Sequence, residues 1–340
     1  MNISSHRNAC EQHSFRPAWW LPGGHAQTLW RRFAGASPIL RHRERIELSD
    51  GDFIDLDWTA QKPDADTNNR AGQTITLIVH GLCGCSESSY VLSLQRKLGW
   101  AGMCSAALNL RGCSGEVNRK AKSYHSGVSE DLDEVFTALS IRYPQQDFVI
   151  VGYSLGGNVL LKWLAESAAA IGQPVKAVAV STPFSLAVCS RFMMNGLSQI
   201  YGRYFTRRLL SALESKKQHF WSTGAAAELE KLLALGNTAT ISSIWEFDDK
   251  VTAPLHGFVD AEDYYEQCSS IHYLKRINTP TLLIQSQDDP MIPPSALPQP
   301  QQLSSSLNFE LQCGGGHVGF KAGNGKQWLE SRILQYLAVQ

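Results

Sequence analysis

The strongest local signal for the fold is Phe148-Val149-Ile150-Val151-Gly152-Tyr153-Ser154-Leu155-Gly156. It opens with an apolar, β-branched run that is typical of a strand buried on both faces. After it, an apolar stripe that begins at Leu155 and includes Val159 predicts a helix. The Gly-x-Ser-x-Gly pattern therefore lies in a tight strand-to-helix turn, which predicts that Ser154 projects above the sheet as a nucleophile. A glycine-rich turn with an incidental serine is the alternative.

Runs like the one before Ser154 recur along the chain, and helical patterns separate most of them. The predicted strands are Thr74–His80, Cys104–Leu110, Phe148–Gly152, Val175–Ser181, Thr281–Ser286 and Phe309–Cys313. A hairpin around Asp50-Gly51 adds two more strands at the front, and Pro63–Gly72 is a predicted surface loop. The alternation predicts an α/β fold with an eight-stranded, mostly parallel, doubly wound sheet.

One interval is too long for a loop of such a fold. Between Ser181 and Thr281 lie 99 residues with helical patterns such as Leu197–Leu213, which predict a helical cap insertion. We therefore expect an N-terminal arm at 1–40, the core at 41–182 and 278–340, and a cap at 183–277. Four apolar cap residues suit the lining of an apolar pocket: Phe192, Met193, Met194 and Leu197.

Composition excludes several classes of protein. The 340 residues carry 31 basic and 31 acidic side chains, so the net charge of zero gives no indication of nucleic-acid binding. The eight cysteines show no C-x-x-C spacing, and neither a phosphate loop nor H-E-x-x-H occurs, so we predict no metal and no cofactor. Without a leader-like or membrane-spanning apolar run, we expect a cytoplasmic protein with no integral membrane segment.

A serine nucleophile needs a base, and the strand order predicts where the base stands. In this arrangement the acid follows the nucleophile and the histidine comes last. His317 stands on a glycine-rich loop after the last predicted strand, which makes it the candidate base. Asp288 and Asp289 both follow the seventh predicted strand, and either suits the acid by position.

The developing oxyanion needs two backbone N–H donors. The amide of Leu155, directly after the nucleophile, is one candidate. The amide of Leu82, in the loop after the third strand, is the other, and Gly81 lets that backbone approach closely. His80 precedes the nucleophile strand and is expected to serve packing and hydrogen bonding.

The cap also contains a series of basic residues, namely Arg203, Arg207, Arg208, Lys216 and Lys217. Such runs commonly form a solvated helix face, which is the interpretation we favour. Contact with lipid headgroups is the alternative.

Several segments together resemble one known family, the YheT-like α/β-hydrolases, which are bacterial relatives of animal and plant α/β-hydrolase-domain proteins. The resemblance runs from about Phe15 to the C-terminus. Its motifs are Gly24-His25-Ala26-Gln27-Thr28, His80-Gly81-Leu82-Cys83-Gly84, Asn109-Leu110-Arg111-Gly112-Cys113-Ser114-Gly115, Tyr124-His125-Ser126-Gly127, Gly152-Tyr153-Ser154-Leu155-Gly156-Gly157-Asn158, Glu246-Phe247-Asp248-Asp249 and Asp263-Tyr264-Tyr265.

The resemblance implies a serine esterase with Ser154, Asp289 and His317 as its triad. Asp289 stands four residues before Pro293, the usual place of the acid in such hydrolases. The implied substrates are short- to medium-chain esters or acylglycerols, with lipase, phospholipase or thioesterase activity on the same triad as alternatives. A more distant alternative is a non-catalytic protein of the same fold that binds a ligand. Trp19, Trp20 and His25 match the family without an assigned chemistry, and we expect an arm packed on the core.

Overall fold

The computed structural model describes residues 14–35, 37–60, 74–166, 174–323, 325 and 327–338. Within them, eight strands form one sheet in the order β1-β2-β4-β3-β5-β6-β7-β8. The strands are β1 (Arg41–Glu47), β2 (Phe53–Thr59), β3 (Ile75–Val79), β4 (Cys104–Asn109), β5 (Phe148–Tyr153), β6 (Lys176–Val180), β7 (Thr281–Ser286) and β8 (Leu307–Gln312). The predicted loop Pro63–Gly72 lies outside the described residues.

The pairing of the strands confirms the predicted fold class. β1 pairs antiparallel with β2, and β2 pairs antiparallel with β4. All the remaining pairs, from β4 across to β8, are parallel. Parallel neighbours need long crossovers, and the helices between the strands provide them. The last strand begins two residues earlier than predicted, at Leu307.

The helices follow in chain order between and after the strands. They are α1 (Gly23–Phe33), α2 (Ser89–Trp100), α3 (Ser129–Arg142), α4 (Leu155–Glu166), α5 (Leu186–Phe192), α6 (Gln199–Thr223), α7 (Ala226–Leu233), α8 (Ile244–Phe247), α9 (Ala253–His256), α10 (Ala261–Cys268) and α11 (Trp328–Ala338). Among the described residues, none of these helices has both the length and the apolar character that crossing a bilayer requires.

The sheet separates two apolar layers. Leu77 and Val79 of β3 pack on one face together with residues of α3 and α4. Ile78, the residue between them, packs on the other face with residues of α2 and α11. Side chains of a strand alternate in direction, so a strand that is apolar throughout is covered on both faces. The carboxyl ends of the parallel strands are left as the edge where a site can form.

The segment between Val180 and Thr281 contains α5 to α10. It contributes most of a separate apolar cluster that includes Leu213, Phe220 and Leu232, together with Ala121 of the loop after β4. The long helix α6 starts two residues later than predicted and continues to Thr223. We propose residues 183–277 as a cap, because this segment leaves the sheet after β6 and returns to it at β7.

Candidate active site

Ser154 lies in the turn between β5 and α4. Its φ of +53° is in the left-handed region, which is uncommon for any residue other than glycine. The backbone around the turn is tightly packed, since a Cβ on Gly156 would lie 2.5 Å from the carbonyl oxygens of Val79 and His80. The strained turn holds the Ser154 hydroxyl at the carboxyl edge of the sheet, as a nucleophile on such a turn requires.

The structure brings His317 to Ser154 across 163 residues of sequence. His317 lies in the loop between β8 and α11, and its Nε2 is 2.7 Å from Ser154 Oγ. The amide of Val318, whose φ is +58°, donates to Ser181 Oγ at 3.0 Å. This bond ties the histidine loop to the end of β6, the strand beside the nucleophile.

Asp289, and not Asp288, faces the histidine. His317 Nδ1 lies 2.9 Å from Asp289 Oδ2 and 3.2 Å from Oδ1. Asp289 is only 4% exposed, and it also accepts hydrogen bonds from the amides of Met291 and Ile292. When the carboxylate accepts a hydrogen bond from Nδ1–H, Nε2 is left as the acceptor for the Ser154 hydroxyl.

Asp288 has a different role. It is exposed, and its Oδ1 accepts a hydrogen bond of 2.5 Å from the hydroxyl of Ser286. Its side chain therefore caps the end of β7, as a solvated loop residue does.

The loop after β3 passes directly over the nucleophile. A Cβ on Gly81 would lie 2.9 Å from Ser154 Cβ, so only glycine allows this approach. The amides of Gly81 and Cys83 donate to the hydroxyls of Tyr90 and Tyr124. These bonds fix the backbone on both sides of Leu82, whose own amide we propose as an oxyanion donor together with that of Leu155.

His80 has the structural role that its position predicts. Its Nε2 accepts the amide of Leu110 at 3.1 Å, which leaves the proton on Nδ1 to be donated to the carbonyl of Gly81 at 2.8 Å. The side chain is fully buried, and burial lowers its pKa to about 4. A neutral imidazole therefore braces the start of the Gly81–Leu82 turn.

Sequence reasoning missed two residues of α1 that hold the histidine loop. Thr28 Oγ1 accepts the amide of His317 at 2.7 Å and donates to the carbonyl of Gly24 at 2.7 Å. Gln27 Oε1 accepts the amide of Lys321 at 2.7 Å, and its Nε2 donates to the carbonyl of Lys321 at 3.3 Å. Both side chains are buried. The sequence shows only that two polar residues lie close to His25. It does not indicate that they bind the loop of His317.

Helix α1 also contacts the beginning of the segment that we propose as a cap. His25 Nδ1 lies 3.0 Å from the hydroxyl of Tyr201, and the two rings are stacked. Ser198 Oγ donates to the carbonyl of Pro290, next to Asp289, at 2.6 Å. The beginning of α6 therefore contacts both α1 and the loop that carries Asp289, which the sequence does not predict.

The predicted pocket-lining residues are only partly brought together. Met193 and Met194 line a cavity of about 240 Å³ that Ser243, Ile244 and Glu246 also line. Leu197 is 68% exposed. None of the triad candidates is among the residues that line this cavity.

The expectation of a solvated basic face is wrong for Lys216, and Lys217 is only partly exposed. Lys216 is buried, and its Nζ donates to the carbonyls of Lys120 and Lys122 and to Ser123 Oγ. Burial lowers its pKa to about 7. Arg203, Arg207 and Arg208 are exposed, as predicted.

No cluster of three or more potential metal ligands occurs within the described ranges. The chemistry available at the carboxyl edge of the sheet is that of a hydroxyl, an imidazole and a carboxylate in series. Such a series activates a serine for attack on a carbonyl carbon.

The sheet and the Ser154–His317–Asp289 arrangement are those of an α/β-hydrolase. The chain belongs to this family, because the family model described as the alpha/beta hydrolase fold matches residues 76–323. It also belongs with the YheT-like proteins, which confirms the resemblance. It is 38% identical to "Putative esterase YheT" of Escherichia coli strain K12, over 96% of this chain and 93% of that one.

More distant relatives and solved structures agree with this assignment. The chain is 28% identical to human "Phospholipase ABHD3", over 91% of this chain and 74% of the relative. It is 27% identical to mouse "Monoacylglycerol lipase ABHD2", over 94% and 78%. The Pyrococcus furiosus esterase Pf2001 superposes with a TM-score of 0.54 at 14% identity, covering 88% of this chain and 92% of that one, which shows the fold alone.

Proposed function

We propose that the protein is a serine hydrolase that cleaves carboxylic esters through an acyl-enzyme. The observation that carries the proposal is the continuous series Ser154 Oγ, His317 and Asp289, joined by contacts of 2.7 Å and 2.9 Å. Relatives named esterase, lipase and phospholipase support a carboxylic ester hydrolase.

The geometry supports a two-step mechanism. Ser154 Oγ attacks the ester carbonyl while His317 Nε2 takes its proton, and the same imidazole then protonates the leaving alcohol. Asp289 holds the imidazole in the required tautomer and stabilises it when it is charged. A water molecule that His317 deprotonates then attacks the acyl-enzyme and releases the acid, which restores Ser154.

The oxyanion of each tetrahedral intermediate is assigned to the amides of Leu82 and Leu155. Leu155 is the first residue of α4, so its N–H lies at the positive end of a helix. Loss of one such donor typically lowers the rate by roughly 100- to 1,000-fold.

Two alternative functions are tested together with this one. A thioesterase, lipase or phospholipase would use the same triad, and the fold does not choose among them. A non-catalytic member that binds a ligand or partner would keep the fold without turnover.

The experiment is hydrolysis of a p-nitrophenyl ester series from acetate to palmitate by the wild type and by Ser154→Ala. We expect turnover that is highest for short or medium acyl chains and falls to background in Ser154→Ala. A thioester and a phospholipid, assayed in parallel, decide among the triad alternatives. A wild type inactive on every substrate would favour the binding protein, and an active Ser154→Ala would overturn the nucleophile.

A further inference from the structure

Helix α1 has an inverted distribution of polarity. The residues that it buries are Gly24, Gln27 and Thr28, whereas Leu29, Trp30 and Phe33 remain partly or largely exposed. A surface helix of a globular protein normally buries its apolar stripe. The polar face of α1 holds the histidine loop. The apolar face is left at the surface of the described structure, where Phe33 is 79% exposed.

The residues before α1 extend this apolar surface. Trp20 packs against Trp30 with ring centroids 5.0 Å apart, and Trp19 is 88% exposed. Scattered exposed apolar residues are ordinary, whereas several large ones side by side mark an interaction surface.

The beginning of α6 continues the surface. Arg32 of α1 donates to the hydroxyl of Tyr204, and the stacked pair of His25 and Tyr201 joins the two helices a second time. Ile200 and Leu197 are also exposed there. We call the combined surface the α1–α6 face; its members are Trp19, Trp20, Leu29, Trp30, Phe33, Leu197, Ile200 and Tyr204.

The two segments that form the face carry only basic charges, although the whole chain is neutral. No acidic residue occurs from 12 to 43 or from 167 to 213. Arg203 and Arg207 lie one turn apart on the side of α6 that also carries Ile200 and Tyr204. Arg32 and Arg208 both donate to the Tyr204 hydroxyl.

From these observations we infer that the α1–α6 face docks on an anionic lipid bilayer. Tryptophan and tyrosine rings suit the boundary between headgroups and acyl chains, and surrounding arginines attract anionic headgroups. A second copy of the chain fits less well, because a two-fold contact through this face would place the same arginines opposite each other. Docking brings the membrane to the helix that holds the His317 loop.

The inference does not depend on the proposed reaction, because binding is measured without turnover. The wild type is sedimented with vesicles of phosphatidylcholine alone and with vesicles that contain equal parts of phosphatidylcholine and phosphatidylglycerol. We expect binding to the anionic vesicles, weaker binding to the neutral ones, and weakening by high salt. Trp19→Ser combined with Phe33→Ser should lower the partition by roughly tenfold or more, because both rings leave the interface.

Trp221→Ser is the matched control. Trp221 is 80% exposed on the same helix as Tyr204, but it lies 17 residues further on, or about 26 Å at 1.5 Å per residue. This variant should bind as the wild type does. Circular dichroism checks the fold of each variant, and should the aromatic variant fail to fold, Arg203→Gln with Arg207→Gln should remove the preference for anionic vesicles.

Three results would overturn the inference. One is a wild type that sediments with neither kind of vesicle, and another is a folded aromatic variant, or the arginine variant, that binds as well as the wild type. The third is a wild-type dimer in analytical ultracentrifugation that Trp19→Ser with Phe33→Ser converts to monomers, which would identify the face as a contact between copies.

Discussion

At the scale of single residues, the two neighbouring aspartates have separate environments. Asp289 is buried and touches His317 Nδ1, whereas Asp288 is exposed and caps β7 through Ser286. Loop position alone leaves both open, because consecutive residues after one strand reach the same region. What separates them is the direction of each side chain, and the amides of Met291 and Ile292 hold the Asp289 carboxylate in place.

The first prediction compares Asp289→Asn with Asp288→Asn. In Asp289→Asn an amide replaces the carboxylate and favours the wrong histidine tautomer, so kcat for a p-nitrophenyl ester should fall by roughly 1,000-fold or more. Asp288→Asn, the matched control, should keep nearly the wild-type kcat. Steady-state kinetics at neutral pH measures both, and a larger loss at position 288 would reverse the assignment of the acid.

Ser154 and His317 were the most predictable residues of the candidate site. Strand-to-helix turns of a parallel sheet converge on one edge, so a serine after β5 and a histidine after β8 are brought together by the fold itself. Lys216 shows the opposite case. Its place in a basic run predicts solvent exposure, but its burial depends on the carbonyls of Lys120 and Lys122, which local sequence does not reveal.

At the scale of elements, α1 is the part of the molecule that sequence described least well. The sequence predicts an arm that packs on the core. The structure shows in addition that this arm binds the loop that carries His317. Thr28 and His317 are 289 positions apart, so no local pattern could join them. The exposure of Trp30 is explained by the same helix, since its buried face is polar.

The second prediction tests Thr28 as a positioning residue. Thr28→Val removes the acceptor of the His317 amide, and a buried amide without a partner costs about 1–3 kcal/mol. Because the histidine loop then shifts relative to Ser154, kcat should fall by roughly tenfold with little change in KM.

Thr28→Ser is the control for this experiment, since it keeps the hydroxyl and should restore kcat. Thermal unfolding of both variants is measured alongside. Equal kcat in the valine and serine variants would show that the hydrogen bond does not position the histidine, and a rise in KM alone would assign Thr28 to substrate binding.

At the scale of the whole molecule, sequence determines the sheet better than the segment between β6 and β7. All eight predicted strands occur, because β-branched runs bounded by turns carry a strong local signal. The interval of helices between β6 and β7 was predicted by its length, but its packing was not. Its helices are short apart from α6, and they bury polar groups such as Asp248 whose partners include Tyr265 of a different helix.

Asp248 gives the third prediction, which concerns the pH dependence of stability. Burial raises its pKa to about 6, although Tyr265 and Thr252 both donate to it. The folded state therefore favours the protonated acid relative to the unfolded state. The contribution of Asp248 to the free energy of unfolding is therefore fully present below about pH 4. It decreases by up to about 1.4 kcal/mol per pH unit as the pH rises to about 6.

Asp248→Asn removes this titration. Urea unfolding of the wild type and the variant should show that the stability of the variant relative to the wild type increases between about pH 4 and about pH 6 and then stays constant. A difference that is independent of pH would show that Asp248 does not titrate in this range.

His317 and Asp289 are proposed to activate Ser154 as a nucleophile, and covalent labelling measures this activation without the need for a known substrate. A fluorophosphonate reacts only with an activated serine, and its site is read by mass spectrometry of the digested protein. We expect one adduct, on Ser154, that is formed at least about 100-fold more slowly in His317→Ala because the base is missing. An intact, folded wild type that stays unlabelled, or an adduct on a different serine, would contradict it.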